Sequence, residues 1–327
     1  MNRRDAAFAL LTLAAFGPRI AISQTVAKTP TIGYLGLFRS PLSELWDRTL
    51  KELGWIEGKN VHIAMALAEG NVDRLPALAA DLVRKQVDVI YSQGPDATVA
   101  AALATKTIPI VFYGPAYPVE QGLVDSLARP GRNVTGVAWN AAHEKQLEFV
   151  RQILPRAKRV AHFLLPTAMR TLNGEYFTGR MSQIESTGKS MGFEMKSFQV
   201  INQEDFDGAF KAIKAWGAQA LLTYTTPPTA LARQKIVNFT NGNRIPGFFD
   251  WRVFAEAGGL FSHGPLTSEM TVQAVRQLDR ILRGARPSDL PVELPTRYEI
   301  VVNQKTATSL GIKIPQSLLV RADEVIR

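Results

Sequence analysis

The 327-residue sequence contains no cysteine. This absence excludes disulfide bonds, thiolate metal sites and a cysteine nucleophile, and it excludes a lipid anchor attached to an N-terminal cysteine. Histidine is scarce too, and the four histidines are scattered without the spacing that metal ligands require. We therefore predict a protein with no metal site and no cofactor.

Two common catalytic signatures are also missing. The sequence has no H-E-x-x-H zinc motif and no G-x-x-x-x-G-K-[ST] phosphate-binding loop. We predict no catalytic residues and a protein that is not an enzyme. One enzymatic alternative stays open, in which Asp250 and His263 form the acid/base pair of an exported hydrolase or isomerase.

Long blocks of one charge are absent. The formal net charge of +9 raises the question of a nucleic-acid partner, but the lysines and arginines do not form a run. A nucleic-acid footprint needs a basic patch and not only a positive total. We therefore predict no nucleic-acid partner.

The N-terminal residues 1–23 have the order of an export signal. Arg3 and Arg4 precede an uncharged, mainly apolar run at 6–16, and Ala21-Ile22-Ser23 matches a small-x-small cleavage site. The apolar run is much shorter than the ~20 residues that span a bilayer. We predict that this signal is removed and that the mature protein is soluble in the periplasm. The paired arginines resemble a twin-arginine signal, but the residues after them depart from its spacing, so the Sec route stays open.

The stretch at 87–115 organises the rest of the chain. A β-branched run ends before Gly94 and Pro95, an alanine-rich helix is predicted for 96–106, and a second buried strand for 108–114. Strand, loop, helix and strand form a βαβ unit, which binds ligands at the carboxyl ends of its parallel strands. A helix that begins beside Gly94 would aim free backbone N–H groups into that crevice, where they suit a carboxylate or carbonyl oxygen. The alternative is an ordinary βα turn.

Strands and helices alternate in both halves of the chain, without a flexible linker between them. We predict an α/β fold of two Rossmann-like lobes with parallel sheets, joined by a multi-strand hinge. The walls of the cleft between them would be the carboxyl-end loops of both sheets. We expect residues 31–140 to form the first lobe with part of 265–295, and residues 141–264 to form the second lobe with part of 296–327.

Asp250 ends a predicted buried strand at 246–250. A carboxylate there would pair with a ligand ammonium group in a partly desolvated site, where a charge-assisted hydrogen bond is strong. The alternative is an N-cap for a helix at 252–257. We interpret His263 as lying beside a Gly-Pro turn at the cleft. Aromatic residues at or beside strand ends would clamp a planar or apolar ligand; they are Tyr34, Phe38, Tyr113, Tyr224 and Trp251.

Several segments together resemble the ABC-transporter substrate-binding protein family with a type I periplasmic-binding fold, which includes tryptophan- and tyrosine-type binders. The resemblance covers nearly the whole mature chain in the right order. The segments are LKELGWIEGKNV at 50–61, EGNVDRLPALAADLVRKQVDVIYSQG at 69–94, TIPIVFYG at 107–114, SLARPGRNVTG at 126–136, FAEAGGLFSHGP at 254–265, and the tail from ILRGARPSDLPVE to SLLVRADEVIR.

The resemblance implies an exported solute-binding protein that closes by hinge bending around a small organic ligand and delivers it to the permease subunits of an ABC transporter. The aromatic strand-end residues favour an aromatic or hydrophobic carboxylate or amino acid. A sensory role, in which the closed form contacts a membrane receptor, stays open. We expect a monomer that does no chemistry on its ligand.

The resemblance also implies ligand contacts, carried over by position. In similar proteins the first lobe holds the ligand carboxylate and an acidic residue of the second lobe holds an amino group. An inward-facing Asp96 would repel a carboxylate. The implied contacts are Ser40, Ser92, Gln93, Gly94, Pro95, Tyr113 and Gly114 in the first lobe, and Tyr224, Thr225, Asp250 and His263 in the second.

Overall fold

A computed structural model describes residues 29–139, 143–164, 171–173, 179–201 and 203–327. The predicted export signal at 1–23 lies outside the described residues.

The first sheet is parallel throughout and is built mainly from the N-terminal half. Its strands are β1 (Thr31–Gly36), β2 (His62–Leu67), β3 (Val89–Gln93), β4 (Ile110–Tyr113) and β5 (Val134–Val137). They are arranged in the order β2-β1-β3-β4-β5. The helices between them are α1 (Ser43–Glu52), α2 (Leu75–Arg84) and α3 (Pro95–Ala104). Buried apolar side chains pack on both faces of this sheet, as a parallel sheet requires.

The second sheet contains the remaining strands. They are β6 (Arg159–Leu164), β7 (Glu194–Gln199), β8 (Ala220–Thr223), β9 (Gly247–Phe249), β10 (Phe261–Pro265), β11 (Tyr298–Asn303) and β12 (Glu324–Ile326). Their order is β12-β11-β10-β9-β8-β6-β7, and the pairing is parallel except between β10 and β11. The other helices are α4 (His143–Ile153), α5 (Gly179–Ser190), α6 (Asp205–Trp216), α7 (Pro227–Leu231), α8 (Arg233–Gly242), α9 (Arg252–Glu256), α10 (Thr267–Leu282), α11 (Gln304–Leu310) and α12 (Gln316–Arg321).

Helix α10 returns to the first sheet. It packs against α1, β3, β4 and β5, and its buried Met270, Ala274 and Leu278 share an apolar cluster with Ile32 and Trp46. The chain therefore passes between the sheets after β5, after β10 and again before β11. We call the first sheet with α1, α2, α3 and α10 the first lobe, and the second sheet with its helices the second lobe.

The C-terminal part of the second sheet differs from the sequence-based expectation. We interpreted Gly264-Pro265 as a turn beside His263, but these residues lie in β10. Glycine is required there for close packing, because a Cβ atom on Gly264 would lie 1.7 Å from the carbonyl oxygen of Asp250. Strand β12 was not predicted, since three partly exposed residues carry little hydrophobic pattern.

In the part of the chain that the structure describes, no helix is both long enough and apolar enough to cross a membrane.

Candidate ligand-binding site

The carboxyl ends of both sheets face each other, and side chains join the lobes there. The indole Nε1 of Trp139, just beyond β5, donates to Asp250 Oδ2 at 3.2 Å. The backbone N–H of Leu172 in the second lobe donates to the carbonyl oxygen of Gln121 in the first at 3.0 Å. Trp251 packs against apolar clusters of both lobes. The candidate site lies at this interlobe edge, where ligands bind in open α/β sheets.

Two glycines form the edge of the first lobe. Gly94 has φ of 89° and Gly114 has φ of 107°, a backbone conformation that other residues rarely adopt. The Gly94 N–H donates to the Tyr113 carbonyl oxygen at 2.8 Å, so the loops after β3 and β4 lie side by side. A Cβ atom on Gly94 would have no neighbour within 4 Å. The edge is therefore open backbone, which a ligand can approach closely.

Helix α3 begins at this edge. Its N-cap is Gly94 and no side chain caps it. The helix begins at Pro95, one residue before the start at 96 that the sequence predicted. Asp96, in the same turn, is buried, and its carboxylate interacts favourably with the positive end of the helix dipole. Asp96, which would repel a ligand carboxylate, thus lies in the first turn of α3.

Tyr34 ties together two loops of the first lobe. Its hydroxyl donates to Gln93 Oε1 at 2.5 Å and accepts from the Ser40 N–H at 3.4 Å. Burial raises the pKa of Tyr34 to about 12, so the hydroxyl is a neutral donor at physiological pH. The ring packs on Trp46 and Tyr91 with centroid distances of 5.5 and 5.3 Å. Gln93 and Ser40 are both partly exposed at this corner.

The side chains of Ser92 and Tyr113 are bonded within the first lobe. Ser92 is fully buried and its Oγ lies 3.0 Å from Thr98 Oγ1, so it joins β3 to α3. The Tyr113 hydroxyl bonds to Thr271 of α10, and burial raises its pKa above the ordinary value. For both residues a direct ligand contact stays a prediction.

A row of polar residues follows the strands of the second lobe. Thr223, Phe249 and Ser262 are in register on β8, β9 and β10, so the residues that follow them, Tyr224, Asp250 and His263, are side by side at the carboxyl edge. The structure thus brings together three of the four second-lobe residues that the resemblance implied. The fourth, Thr225, is hydrogen-bonded to this row.

Asp250 is the most constrained member of the row. Its Oδ1 accepts from the Thr225 N–H at 2.7 Å and from the Thr225 hydroxyl at 2.5 Å, while Oδ2 accepts from Trp139. Burial raises the pKa of Asp250 to about 6, and the hydrogen bonds from Thr225 and Trp139 oppose that rise. Among the described residues no lysine or arginine pairs with this carboxylate. At neutral pH Asp250 is a buried anion held by neutral donors.

The alternative role of Asp250 as a helix cap is wrong. The N-cap of α9 is Trp251, without a side-chain cap hydrogen bond. Both carboxylate oxygens point instead to Thr225 and Trp139.

Tyr224 lies beside Asp250 and is buried. Its pKa is raised above the ordinary value, chiefly by burial and then by the neighbouring Tyr117, Asp250 and Glu144. Tyr117 comes from the loop after β4 in the first lobe and Glu144 from the first turn of α4. The phenol of Tyr224 is thus a neutral group at a meeting point of both lobes.

His263 lies within β10 and not at a turn. Its ring lies against Phe149, 4.9 Å away between centroids, and stacks on Tyr298 at 5.6 Å. Burial lowers the pKa of His263 to about 4, with Lys145 and Arg321 adding to the effect. The side chain is therefore neutral at physiological pH.

Asp250 and His263 are not hydrogen-bonded to each other in the described structure. The hydrogen bonds of Asp250 go to Thr225 and Trp139, and the ring contacts of His263 are aromatic. The described structure therefore gives no support to the hydrolase or isomerase alternative.

A G-x-S-x-G sequence does occur, at 188–192, and this pattern is typical of a hydrolase nucleophile elbow. Here it spans the end of α5 and the turn after it, and does not connect a strand to a helix. The hydroxyl of Ser190 donates to the Thr187 carbonyl oxygen at 2.8 Å within the last helical turn. Ser190 lacks the exposed strand-to-helix position of a nucleophile.

Sequence reasoning missed three residues around Asp250 and Tyr224. Trp139 lies just past the end of β5, so the rule that selected Gln93 and Asp250 from their strand ends would also have selected it. Tyr117 and Glu144 carry no comparable signal, because only the packing of the two lobes brings them to Tyr224.

Comparison with known proteins agrees with this architecture. Residues 46–326 match the family described as ABC transporter substrate binding protein, and the chain belongs to that family. A curated relative, the tyrosine-binding protein of Clostridioides difficile, is 24% identical over 267 residues, which cover 81% of this chain and 75% of the relative.

Two solved structures share the fold. A conserved domain protein of Vibrio cholerae is 27% identical, with 91% of this chain and 100% of that chain covered and a TM-score of 0.83. The ABC domain in complex with L-Trp from Streptococcus pneumoniae is 23% identical, with 91% and 100% covered and a TM-score of 0.82. The predicted α/β fold with two lobes is confirmed, and the protein is a substrate-binding protein of the ABC transporter family.

Proposed function

We propose that this protein is exported to the periplasm, captures an amino acid with an aromatic or hydrophobic side chain between its lobes, and delivers it to the permease of an ABC transporter. The observation that carries the ligand class is Asp250, a buried carboxylate with hydrogen-bond donors but no cation from the described residues. A buried ion without a counter-charge is costly. The ammonium group of the ligand supplies that charge.

The hydrogen bonds of Asp250 leave room for the ammonium group. Oδ1 accepts two hydrogen bonds from Thr225, whereas among the other described residues Oδ2 accepts one, from Trp139. A carboxylate oxygen has two acceptor positions, so Oδ2 can accept a further charge-assisted bond. Thr225 and Trp139 hold the carboxylate in place for this contact.

The first lobe would contact the rest of the ligand through backbone. The uncapped N-terminus of α3 offers N–H groups to a carboxylate. The N–H groups of Gly94 and Gly114 already donate to the Tyr113 and Val137 carbonyl oxygens, so these glycines contribute a close backbone approach and no donors. Asp96 weakens that attraction, so we assign the larger share of the ionic recognition to Asp250. Ligand contacts by Ser40, Ser92, Gln93, Pro95, Tyr113, Tyr224 and His263 are part of the same proposal.

The aromatic character of the ligand has two supports. The first is that similar proteins bind aromatic amino acids: the relative from C. difficile is a tyrosine-binding protein, and the S. pneumoniae structure is a complex with L-Trp. Aromatic side chains also line both lobes near the site, with Tyr34 in the first and Tyr224 in the second.

The test compares amino acids with analogues that lack only the amino group. Refolded protein, freed of any co-purified ligand, is titrated with L-tyrosine and hydroxyphenylpropionate, and with L-tryptophan and indolepropionate. A ligand at a hundred times its Kd should add about 2.7 kcal/mol to the free energy of unfolding. We expect a rise in Tm with at least one amino acid and none with its deaminated analogue.

Asp250→Asn removes the ionic contact. The amide oxygen can still accept from Thr225, but the NH2 group cannot accept from Trp139. The variant therefore loses the charge and that hydrogen bond together, and affinity for the amino acid should fall about 10- to 100-fold. Asp279→Asn is the control, because Asp279 also accepts from an indole, Trp55 Nε1 at 2.8 Å, within the first lobe. Unlike Asp250, it has a cationic partner, Arg283 at 2.7 Å. Equal binding of the deaminated analogues would contradict the ammonium contact, and no response to any amino acid would contradict the ligand class.

A further inference from the structure

Gln146 lies one turn into α4, next to the interlobe edge. The helix precedes β6 and runs antiparallel to it, so its N-terminal turn is at the carboxyl edge of the second sheet. The ring of Phe149, further along the same helix, lies 4.9 Å from the ring of His263 in the row at that edge, and Glu144 of the first turn interacts electrostatically with the Tyr224 phenol. Leu147 and Phe149 of the same helix belong to the apolar cluster that includes Tyr224.

The carboxamide of Gln146 is buried without a hydrogen bond. The residue is 1% exposed, and neither Oε1 nor Nε2 has a partner among the described residues. Buried polar groups in native proteins are nearly always hydrogen-bonded, and an unpaired one weakens the fold. An apolar residue of similar volume would fill this position at lower cost, so the amide requires an explanation.

Gln277 provides the contrast within the same protein. It is also 1% exposed, but its Nε2 donates to the Pro291 carbonyl oxygen and to Glu293 Oε1, both at 3.0 Å, and its Oε1 accepts from the Thr135 hydroxyl at 3.2 Å. Gln277 has the full set of partners that holds a structural glutamine. Gln146 has none of them.

We propose that Gln146 is a specificity-determining residue, whose carboxamide binds a hydroxyl group on the side chain of the ligand. This inference rests on the proposed function, in which Asp250 holds the amino group. A hydroxyl donates one hydrogen bond and accepts others, so it can satisfy both Oε1 and Nε2. The apolar surroundings, with Leu147, Phe149 and Tyr224 in one cluster, suit an aromatic ring that carries this single polar group.

The test uses L-tyrosine and L-phenylalanine, which differ by one hydroxyl group. Calorimetric titration of the wild-type protein should give about tenfold or greater preference for L-tyrosine. Gln146→Met keeps the volume and removes the hydrogen-bonding atoms. We expect it to lose about tenfold in affinity for L-tyrosine, to keep its affinity for L-phenylalanine, and so to bind both alike.

Gln277→Met is the matched control, because it removes a glutamine of equal burial away from the cleft. It should lower Tm and keep the preference for L-tyrosine, whereas Gln146→Met should keep or raise the Tm of the ligand-free protein. An unchanged preference in Gln146→Met overturns the role of Gln146 alone, and so does a fall in its ligand-free Tm as large as that of Gln277→Met. If neither amino acid binds the wild-type protein, the proposed ligand class fails and this inference fails with it.

Discussion

The indole N–H of Trp139 reaches across the cleft to Asp250 Oδ2 at 3.2 Å, although the residues are 111 positions apart in the sequence. Trp139 leaves the first sheet and Asp250 ends a strand of the second. One hydrogen bond therefore joins the lobes and also orients the carboxylate that we assign to the ligand ammonium group. Loss of this hydrogen bond should therefore affect both the contact between the lobes and the binding of the ligand.

Trp139→Phe should weaken ligand binding by about tenfold. A smaller aromatic ring remains, but the carboxylate loses a donor, and a hydrogen bond to a charged group contributes about 1.5–3 kcal/mol. Trp55→Phe removes the same kind of indole-to-aspartate bond, to Asp279 within the first lobe, and should lower stability without changing affinity. The measurement is the Kd of each variant, by calorimetry, for the amino acid that binds best. Equal losses of affinity in the two variants would contradict a special role for Trp139 in ligand binding.

Asp250 should make ligand affinity and ligand-free stability respond oppositely to acid. Its pKa of about 6 in the folded protein exceeds the ordinary value of 3.8, so the folded state binds this proton more tightly than the unfolded chain. That contribution to stability is full below about pH 4 and is lost as the pH rises through about 6. The ammonium group needs the ionised form, so affinity should fall by up to about tenfold per pH unit below 6.

The measurement is a pair of pH series with Asp250→Asn as the reference. The wild-type free energy of unfolding, taken relative to that variant, should rise on acidification from pH 7 to pH 4, and only the wild-type affinity should depend on pH in that range. Parallel curves for the two proteins would show that another group titrates.

Gly264→Ala should destabilise the strand end that carries Asp250. The new Cβ would meet the Asp250 carbonyl oxygen at 1.7 Å, and backbone cannot move aside as a flexible side chain does. We expect a loss of several kcal/mol, about 3 or more, together with loss of ligand binding. Gly208→Ala, at an exposed position near the start of α6 with nothing within 4 Å of the new Cβ, should stabilise by up to about 0.5–1 kcal/mol. Urea unfolding of both variants tests the pair, and a tolerated Gly264→Ala would contradict the close approach of β9 and β10.

Arg252 should stabilise the fold because it pairs with the buried carboxylate of Glu299. It forms ion pairs with Glu256 at 2.7 Å, Glu299 at 2.8 Å and Glu324 at 2.5 Å. Glu299 is 6% exposed, and burial raises its pKa against the opposing effect of Arg252. Arg252→Gln leaves that carboxylate without its cation, and we expect a loss of about 2 kcal/mol.

The control for this ion-pair prediction is Arg286→Gln, whose pair with Asp289 is exposed on both sides. It should change the free energy of unfolding by no more than about 0.5 kcal/mol. Similar urea midpoints for the two variants would mean that the network around Arg252 is no stronger than a surface pair.

The sequence predicted those parts of the fold that depend on local signals. Gly94 and Pro95 mark the junction of β3 and α3 to within one residue, because one residue adopts positive φ and the other suits a first helical turn. The strand-end rule likewise placed Gln93, Tyr224 and Asp250 at the edge where the lobes meet. Buried β-branched runs and glycine-proline breaks are properties of neighbouring residues, so one sequence suffices to find them.

Contacts between distant segments could not be predicted in this way. The Gly-Pro pair after His263 favours a turn locally, yet the pairing of β10 with β9 and β11 makes it a strand. The cap predicted for α9 failed because Thr225 and Trp139 compete for the same carboxylate. In the sequence, Gln146 resembles any polar residue of an amphipathic helix, because its burial results from tertiary packing.

The packing of α10 determines the order in which the lobes can be completed. Strands β3, β4 and β5 are made early, but the helix that covers one of their faces begins at Thr267, after most of the second sheet. As the chain is synthesised from its N-terminus, the first sheet keeps an apolar face uncovered while most of the second sheet emerges. The first lobe is therefore completed only after five of the seven strands of the second sheet have emerged. A chain stopped before α10 would expose an apolar surface that a chaperone or protease could recognise.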